Sequence, residues 1–325
     1  MKYLILAAAS LGLSAGAAPA QTNWDFSTPW SGSNFIAQTS VEFADAVRDA
    51  TDGSVNITVH TGGEIGITAA QSMSAVQDGI VQMASALLFL QAGDEPALAM
   101  DTLPYLIQGQ SEMAEFLTFA SPLYDTIAER NNQKILYYIP WPSPGIYSRS
   151  PIASAEDMAN QRIRAFNAAS FEFLTNIGAS PLEMPWGDVP PALAAGAIDG
   201  VATSSSSGVD GRLWQFTSHF NPLNWSTSIE AVTVNLDAWN ALSDDERSTI
   251  EALAAEMQPG FWAVSAAEDD GKVEILMENG IEVLSADESL VAAMAEGGRP
   301  MWDAFLERVP EARAVIEAYA AHMGK

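Results

Sequence analysis

From Thr22 the chain alternates polar and apolar positions through "TNWDFSTPW" and stops at Pro29, the pattern of a short strand. The spacing then lengthens. In "SNFIAQTSVEFADAVRDATDG" the residues Phe35, Val41, Phe43, Ala44 and Val47 recur at helical intervals until Gly53, after which "SVNITVH" alternates again. The same rhythm repeats with "QSMSAVQDGI" as helix, "VQMASALLF" as strand, "SEMAEFLTFASPLYDTIAER" as helix and "QKILYYI" as strand. Strands alternating with helices predict an α/β fold.

After "PWPSPG", a proline-rich crossing point, "IYSRSPI" and "QRIRAF" read as strands with "SAEDMA" as a short capped helix between them. The helix "ASFEFLTNIG" leads to "SPLEMPW", and "DVPPALAAGAIDG" is a helix with Asp188 as its N-cap and two prolines in its first turn, where missing amide donors cost nothing. "VATSS" is a short strand. Further on, "SDDERSTIEALAAEMQPGFWAVSAAEDDGKVEILMENG" is one long helix capped by Ser243, with Ile250, Leu253, Met257, Phe261 and Val264 along a stripe. Pro259 and Gly260 are expected to kink or divide it. A helix of that length can run along two lobes. The segment from Arg299 to Lys325 reads as further surface helix.

The N-terminus differs from all of this. Lys2 is followed by "YLILAAASLGLSAGAA" and then Ala18-Pro19-Ala20, the layout of a secretory signal cut near Ala20. Its apolar run falls short of the roughly 20 residues that span a bilayer, so export to the periplasm is expected rather than anchoring. The remaining length suffices for two α/β lobes with a sizeable core. With 41 acidic against 14 basic side chains the net charge is −27, and no basic footprint exists for nucleic acid. There is no cysteine, which excludes disulfides, thiolate metal sites and cysteine nucleophiles.

Little local chemistry stands out. His60, His219 and His322 lack metal-type partners at close spacing. No nucleophile elbow, phosphate loop or dinucleotide fingerprint is present, and "TSSSSG" has hydroxyls without a neighbouring base, so it reads as a polar strand end. A carboxylate pair defined only by separation in space, as a secreted hydrolase would use, leaves no local signature. Arg164 is the exception. In "QRIRAF" the arginines 162 and 164 share one strand face while Ile163 and Ala165 share the other. Buried at a strand end, an arginine must be paired. Two partners fit: an internal Asp or Glu, or the carboxylate of a ligand, which a guanidinium receives as a fork.

The ordered run "PIASAEDMANQRIRAFNAASFEFLTNIGASPLEMPWGDVPPALAAGAIDGVAT" resembles the signature of the solute-binding proteins of TRAP (tripartite ATP-independent periplasmic) transporters, DctP type. The likeness extends to "TGGEIG", "AVQDGIVQMA" and "DTLPYLI" before it and to "LDAWNALSDDERSTIEALA" after it. It implies a two-lobed periplasmic binding protein fold with a long helix spanning both domains. Lobe I is expected to hold residues 21–141 and about 229–260, and lobe II residues 142–228 and about 261–325. It also implies that Arg164 clamps a solute carboxylate, with Trp186 against the solute's apolar body.

The departures from the family pattern shape the ligand expectation. Many acid-binding relatives carry a second arginine where this chain has "PWPSPG", and Arg149 comes a few residues late. Where an asparagine usually contacts ligand stands "VATS", so Thr203 or Ser204 would substitute, and "SALLF" puts Leu87 or Leu88 at a usually polar strand end. Polar groups are lost and rings gained. A small monocarboxylate with an apolar or aromatic body is therefore favoured, held by Arg164 and walled by Trp141, Trp186, Trp30 and Trp225. The same rings suit a zwitterionic or cationic compatible solute such as an ectoine-like molecule. The implied partners are that solute and integral membrane permease subunits, for a monomer without cofactor, metal or nucleic acid.

Overall fold

The computed structural model describes residues 21–325, so the expected signal at residues 1–20 lies outside the described residues. The first half holds β1 (Thr22–Ser27), α1 (Phe35–Ala50), β2 (Val55–His60), α2 (Ser72–Gln77), β3 (Met83–Leu87), α3 (Gly109–Arg130) and β4 (Gln133–Pro140). The middle adds β5 (Gly145–Ser148), α4 (Ala155–Met158), β6 (Ile163–Ala165), α5 (Ala168–Asn176), β7 (Leu182–Glu183), α6 (Val189–Ala195), β8 (Gly200–Thr203) and α7 (Ser205–Asp210). The rest comprises β9 (His219–Asn221), β10 (Ile229–Asn235), α8 (Leu236–Asn240), α9 (Asp244–Glu278), β11 (Glu282–Val283), α10 (Glu288–Gly298), α11 (Pro300–Arg308) and α12 (Arg313–Met323).

Two sheets result, one per lobe, with orders β2-β1-β3-β10-β4 and β11-β9-β5-β8-β6-β7. In the first, β1 runs parallel to β2 and β3, whereas β10 is antiparallel to β3 and β4. In the second, β8, β6 and β7 are parallel and β5 is antiparallel to β8 and β9. This fixes which strand ends meet. The carboxyl ends of β1, β3 and β4 share an edge with the start of β10, and those of β6, β7 and β8 share an edge with the start of β5. Residues 141–144 join β4 to β5 and residues 222–228 join β9 to β10, so the two edges face each other. The crossing segments are bonded together, Trp141 N donating to Ser228 O at 2.9 Å and Asn224 N to Pro144 O at 3.0 Å.

Helix α9 is 35 residues long and packs on α1, β4 and α7, touching both lobes. It starts in a capping box: Ser243 N donates to Glu246 Oε2 at 2.9 Å and Glu246 N to Ser243 Oγ at 3.3 Å. Of the kink or division expected at Pro259 and Gly260, the division does not occur. Both residues are exposed, so the carbonyl that proline leaves unpaired can be hydrated, while Ala254, Phe261 and Ser265 hold the opposite face in the core. Of the expected stripe, Ile250 and Phe261 are buried, and Val264 is 41% exposed.

The C-terminal segment is less superficial than its polarity suggested. Helix α10 packs on α4 and α5 of lobe II, but Trp302, Phe305, Leu306, Ile316 and Tyr319 of α11 and α12 are buried against Met113, Phe116 and Tyr124 of α3. Met301 is still buried with Phe173 and Met294 of lobe II, and the residues from Trp302 onward pack with lobe I. Their apolar face is one side of an amphipathic pair whose partner helix is some 180 residues earlier, which local spacing does not reveal.

Candidate ligand site between the facing sheet edges

Arg164 is the central residue of β6, flanked by β7 and β8. Alternation sends Ile163 and Ala165 into the lobe II core and Arg164 to the other face, where it is 6% exposed. Its Nε donates to Met184 O at 3.1 Å and one terminal nitrogen to Ala202 O at 3.3 Å. Among the described residues no carboxylate forms an ion pair with it. Burial pulls the guanidinium down to about 10, with Glu183 acting weakly the other way, and at neutral pH it stays charged. The internal-acid partner considered from sequence is thus not found, and donors remain on a buried cation. Its strand neighbour Arg162 differs: exposed, it bonds Asp199 through two nitrogens at 2.8 and 2.5 Å.

Trp186 opens the turn that precedes α6 and lies with its ring centroid 5.8 Å from the Arg164 guanidinium carbon. Gly211 makes room for it. A Cβ on Gly211 would stand 2.8 Å from the indole Cζ2, closer than side chains tolerate. Asp188 occupies the N-cap position of α6 without a side-chain capping bond, because residues 186–188 already coil as a 3-10 turn. Thr203 ends β8, and Ser204 caps α7 by accepting from Ser207 N at 3.2 Å. The serine run is therefore a helix start rather than a strand end. Ser205, next in line, donates to Asp269 of α9 at 2.5 Å.

On the facing edge, Glu230 lies near the start of β10, paired across the ladder with Leu87 and Ile139. It is fully buried. Its two carboxylate oxygens accept from Trp30 Nε1 at 3.0 Å and Trp141 Nε1 at 2.8 Å, and Ser85 lies beside it. Trp30 follows β1 and Trp141 follows β4; the two rings meet edge to face at 4.8 Å, and Trp141 also meets Phe35 at 5.1 Å. Burial raises the Glu230 carboxyl to about 7, against the three donors. Among the described residues no cation pairs with it.

The lobes touch across the gap. Asn34 Nδ2, at the cap of α1, donates to Asp210 Oδ2 at 2.8 Å, and Asn167 Nδ2 donates to Thr102 Oγ1 at 3.1 Å. Phe89 and Phe166 stack obliquely at 5.3 Å. A cavity of about 520 Å³ lies between the crossing segments and α9, lined by Gln108, Gln110, Trp141, Ser143, Asn224 and Asp269. Arg164 does not line it.

The geometry thus brings Arg164, Trp186, Thr203 and Ser204 to one edge and Trp30, Trp141 and Leu87 to the other, with Leu88 in the turn that follows β3. Two expected residues fall elsewhere. Trp225 is 1% exposed and packed on Phe173 in the lobe II core at 5.6 Å, leaving no face for a solute. Arg149, beyond the far end of β5, is exposed and donates to Leu193 O in the last turn of α6 and to Phe216 O just before β9. Glu230, Asn34, Asp210, Phe89 and Phe166 were not anticipated. A glutamate inside "IEAVTV" was the available signal, a charge amid residues that must all be buried if the strand is central.

Among the described residues no cluster of metal-ligating side chains occurs, and each histidine faces an acid: His60 is 2.7 Å from Asp25, His219 is 3.7 Å from Glu282 and His322 is 3.5 Å from Glu115.

A family model described as bacterial extracellular solute-binding protein, family 7 (DctP), matches residues 26–308. The chain is similar to the ectoine-binding periplasmic protein TeaA of Halomonas elongata, 24% identical over 93% of this chain and 95% of that protein. It is also similar to the C4-dicarboxylate-binding periplasmic protein DctP of Rhodobacter capsulatus, 23% identical over 87% and 86%. Among solved structures, a TRAP solute-binding protein of an unidentified marine microbe, specific for pyroglutamate, superposes with a TM-score of 0.86 at 27% identity, covering 93% of this chain and 99% of that one. DctP6 of Bordetella pertussis, a receptor binding pyroglutamic acid, gives 0.87 at 25% identity over 92% and 100%.

Proposed function

The chain belongs to the DctP family, family 7 of the bacterial extracellular solute-binding proteins that serve TRAP transporters, and on that premise we propose that it captures a small cyclic monocarboxylate, pyroglutamate being the type. Proteins of this family are solute receptors rather than enzymes, which sets aside the hydrolase considered from sequence. The observation that carries the reading is Arg164, a buried cation with unused donors and no carboxylate of its own at the edge where the lobes meet. A solute carboxylate completes its hydrogen bonds as a fork and removes the cost of an unpaired buried charge.

The rest of the pocket supports one anion and a compact apolar body. Trp186 lies beside the guanidinium, and Trp30, Trp141 and Leu87 belong to the facing edge of lobe I. Hydroxyls of Thr203 and Ser204 are the nearby groups for a ring amide. Pyroglutamate is the ligand of two receptors at or above 25% identity to this chain, and it has this form. Binding would favour the lobe-closed state only by its stronger contacts there, and the closed form would deliver solute to the membrane permease. Export by residues 1–20 with cleavage near Ala20 completes the reading.

Titration calorimetry with pyroglutamate tests it. Arg164→Lys keeps charge but loses the fork, so affinity is expected to fall at least about tenfold, roughly 1.4 kcal/mol, with the melting midpoint retained. Undiminished binding by the lysine variant would sink the carboxylate assignment.

A further inference from the structure

Glu230 is unusual for its surroundings. It is a fully buried acid, its oxygens receive two tryptophan N–H groups at 3.0 and 2.8 Å, and among the described residues no cation neutralises it. An indole has a single N–H, and a carboxylate offers two separated acceptors, so the tie consumes both tryptophan donors at once. What Trp30 and Trp141 then present toward the gap is carbon. Behind that carbon stands a negative charge, in an interior where charge interactions are weakly screened. The opposite edge carries the unpaired guanidinium of Arg164. A solute with one carboxylate is received at the Arg164 end and meets only rings at the other. A solute with a second carboxylate would bring it to a wall without donors and with like charge beneath.

Resting on the monocarboxylate reading above, we propose that Glu230 is a specificity-determining residue that rejects doubly anionic solutes, by turning both indole donors inward and by placing an uncompensated carboxylate behind the ring wall. It acts through Trp30 and Trp141 as well as by its own charge. The alternative, a tie that merely fixes the rings, predicts equal effects on every solute.

The test compares pyroglutamate with glutarate, an open-chain dicarboxylate of the same carbon count, by calorimetry at pH 8, where Glu230, raised to about 7, is mostly ionised. Wild type is expected to bind pyroglutamate at least a hundredfold more tightly. Glu230→Gln removes the charge and one acceptor, and should narrow that gap at least tenfold. Trp30→Phe removes one of the donors that hold the carboxyl down, so Glu230 is more protonated at pH 8 and carries less charge, and this variant should narrow the gap as well. A gap narrowed in both variants is what a purely structural role, with its equal effects on the two solutes, does not produce. A gap unchanged in Glu230→Gln, or a wild type that binds glutarate as well as pyroglutamate, overturns the assignment. Should Glu230→Gln fail to melt cooperatively, Trp30→Phe decides alone, and an unchanged or wider gap overturns it. Wild type that binds neither probe shows instead that the monocarboxylate reading itself fails, before any variant is made.

Discussion

Arg164 and Glu230 are buried charges of opposite sign on opposing edges, and they were not equally visible in the sequence. Arg164 announces itself because a strand of only three residues, bounded by polar groups, carries a cation on a face that alternation assigns. Glu230 is hidden by the same rule. In "STSIEAVTVN" a single glutamate reads as a solvent-facing position, and only the insertion of β10 between β3 and β4 buries every residue of that strand. Trp225 failed in the reverse direction, since an indole in a polar loop looks like a wall and is in fact core. His60 yields a prediction at this scale. Its hydrogen bond to Asp25, followed by that to Glu64, raises its folded pKa, while partial burial opposes. A raised folded pKa means the contribution to stability is complete below the unfolded value near 6.5 and is lost as pH rises through the folded one. The midpoint difference between wild type and His60→Gln, read from thermal melts across that range, should be largest in acid and shrink toward alkaline pH.

Among the elements, those with caps and long periodic faces were legible. Ser243 begins α9 as its sequence implied, whereas the Asn34 cap of α1, which accepts from Ile36 N at 2.9 Å, was not read from the sequence. The Ser243 box does more than start a helix, because Glu246 also accepts from Ser54 Oγ at 2.7 Å and so ties α9 to the turn before β2. Ser243→Ala should lower unfolding free energy by about 1 kcal/mol, measured by urea denaturation, with ligand affinity unchanged. A loss below a few tenths would mean that Glu246 holds the turn without its cap. Helix α7 was illegible for a physical reason. Four serines have no helical preference of their own, and the turn forms because Ser204 caps it while Ser205 and Ser206 bond Asp269 and Glu268 of α9. The unbroken course of α9 through Pro259 likewise depends on packing along its other face.

At the level of the whole molecule, the α/β class, the two lobes and the spanning helix were readable from rhythm and resemblance, and the return of α11 and α12 to lobe I was not. The contact between lobes rests on few bonds. Asp210→Ala removes the acceptor for Asn34 Nδ2, one charge-assisted hydrogen bond across the gap. The ligand-free protein should then spend more time open, seen as a larger radius of gyration in small-angle scattering, and solute affinity should fall by roughly fivefold. An unchanged radius together with unchanged affinity would remove that bond from the closing equilibrium. The net charge of −27 acts on the same balance, since like charges on both lobes repel and salt screens them.

The position of β10 has one more consequence. Strands β3 and β4 are made early in synthesis but are not neighbours; the strand that lies between them is residues 229–235. Until that stretch has emerged, the earlier half holds a sheet with its middle rung missing, and by then all of β5 through β9 has been produced. Maturation during secretion cannot proceed one lobe after the other, and a nascent chain halted between residues 141 and 228 exposes two open strand edges for chaperones to guard.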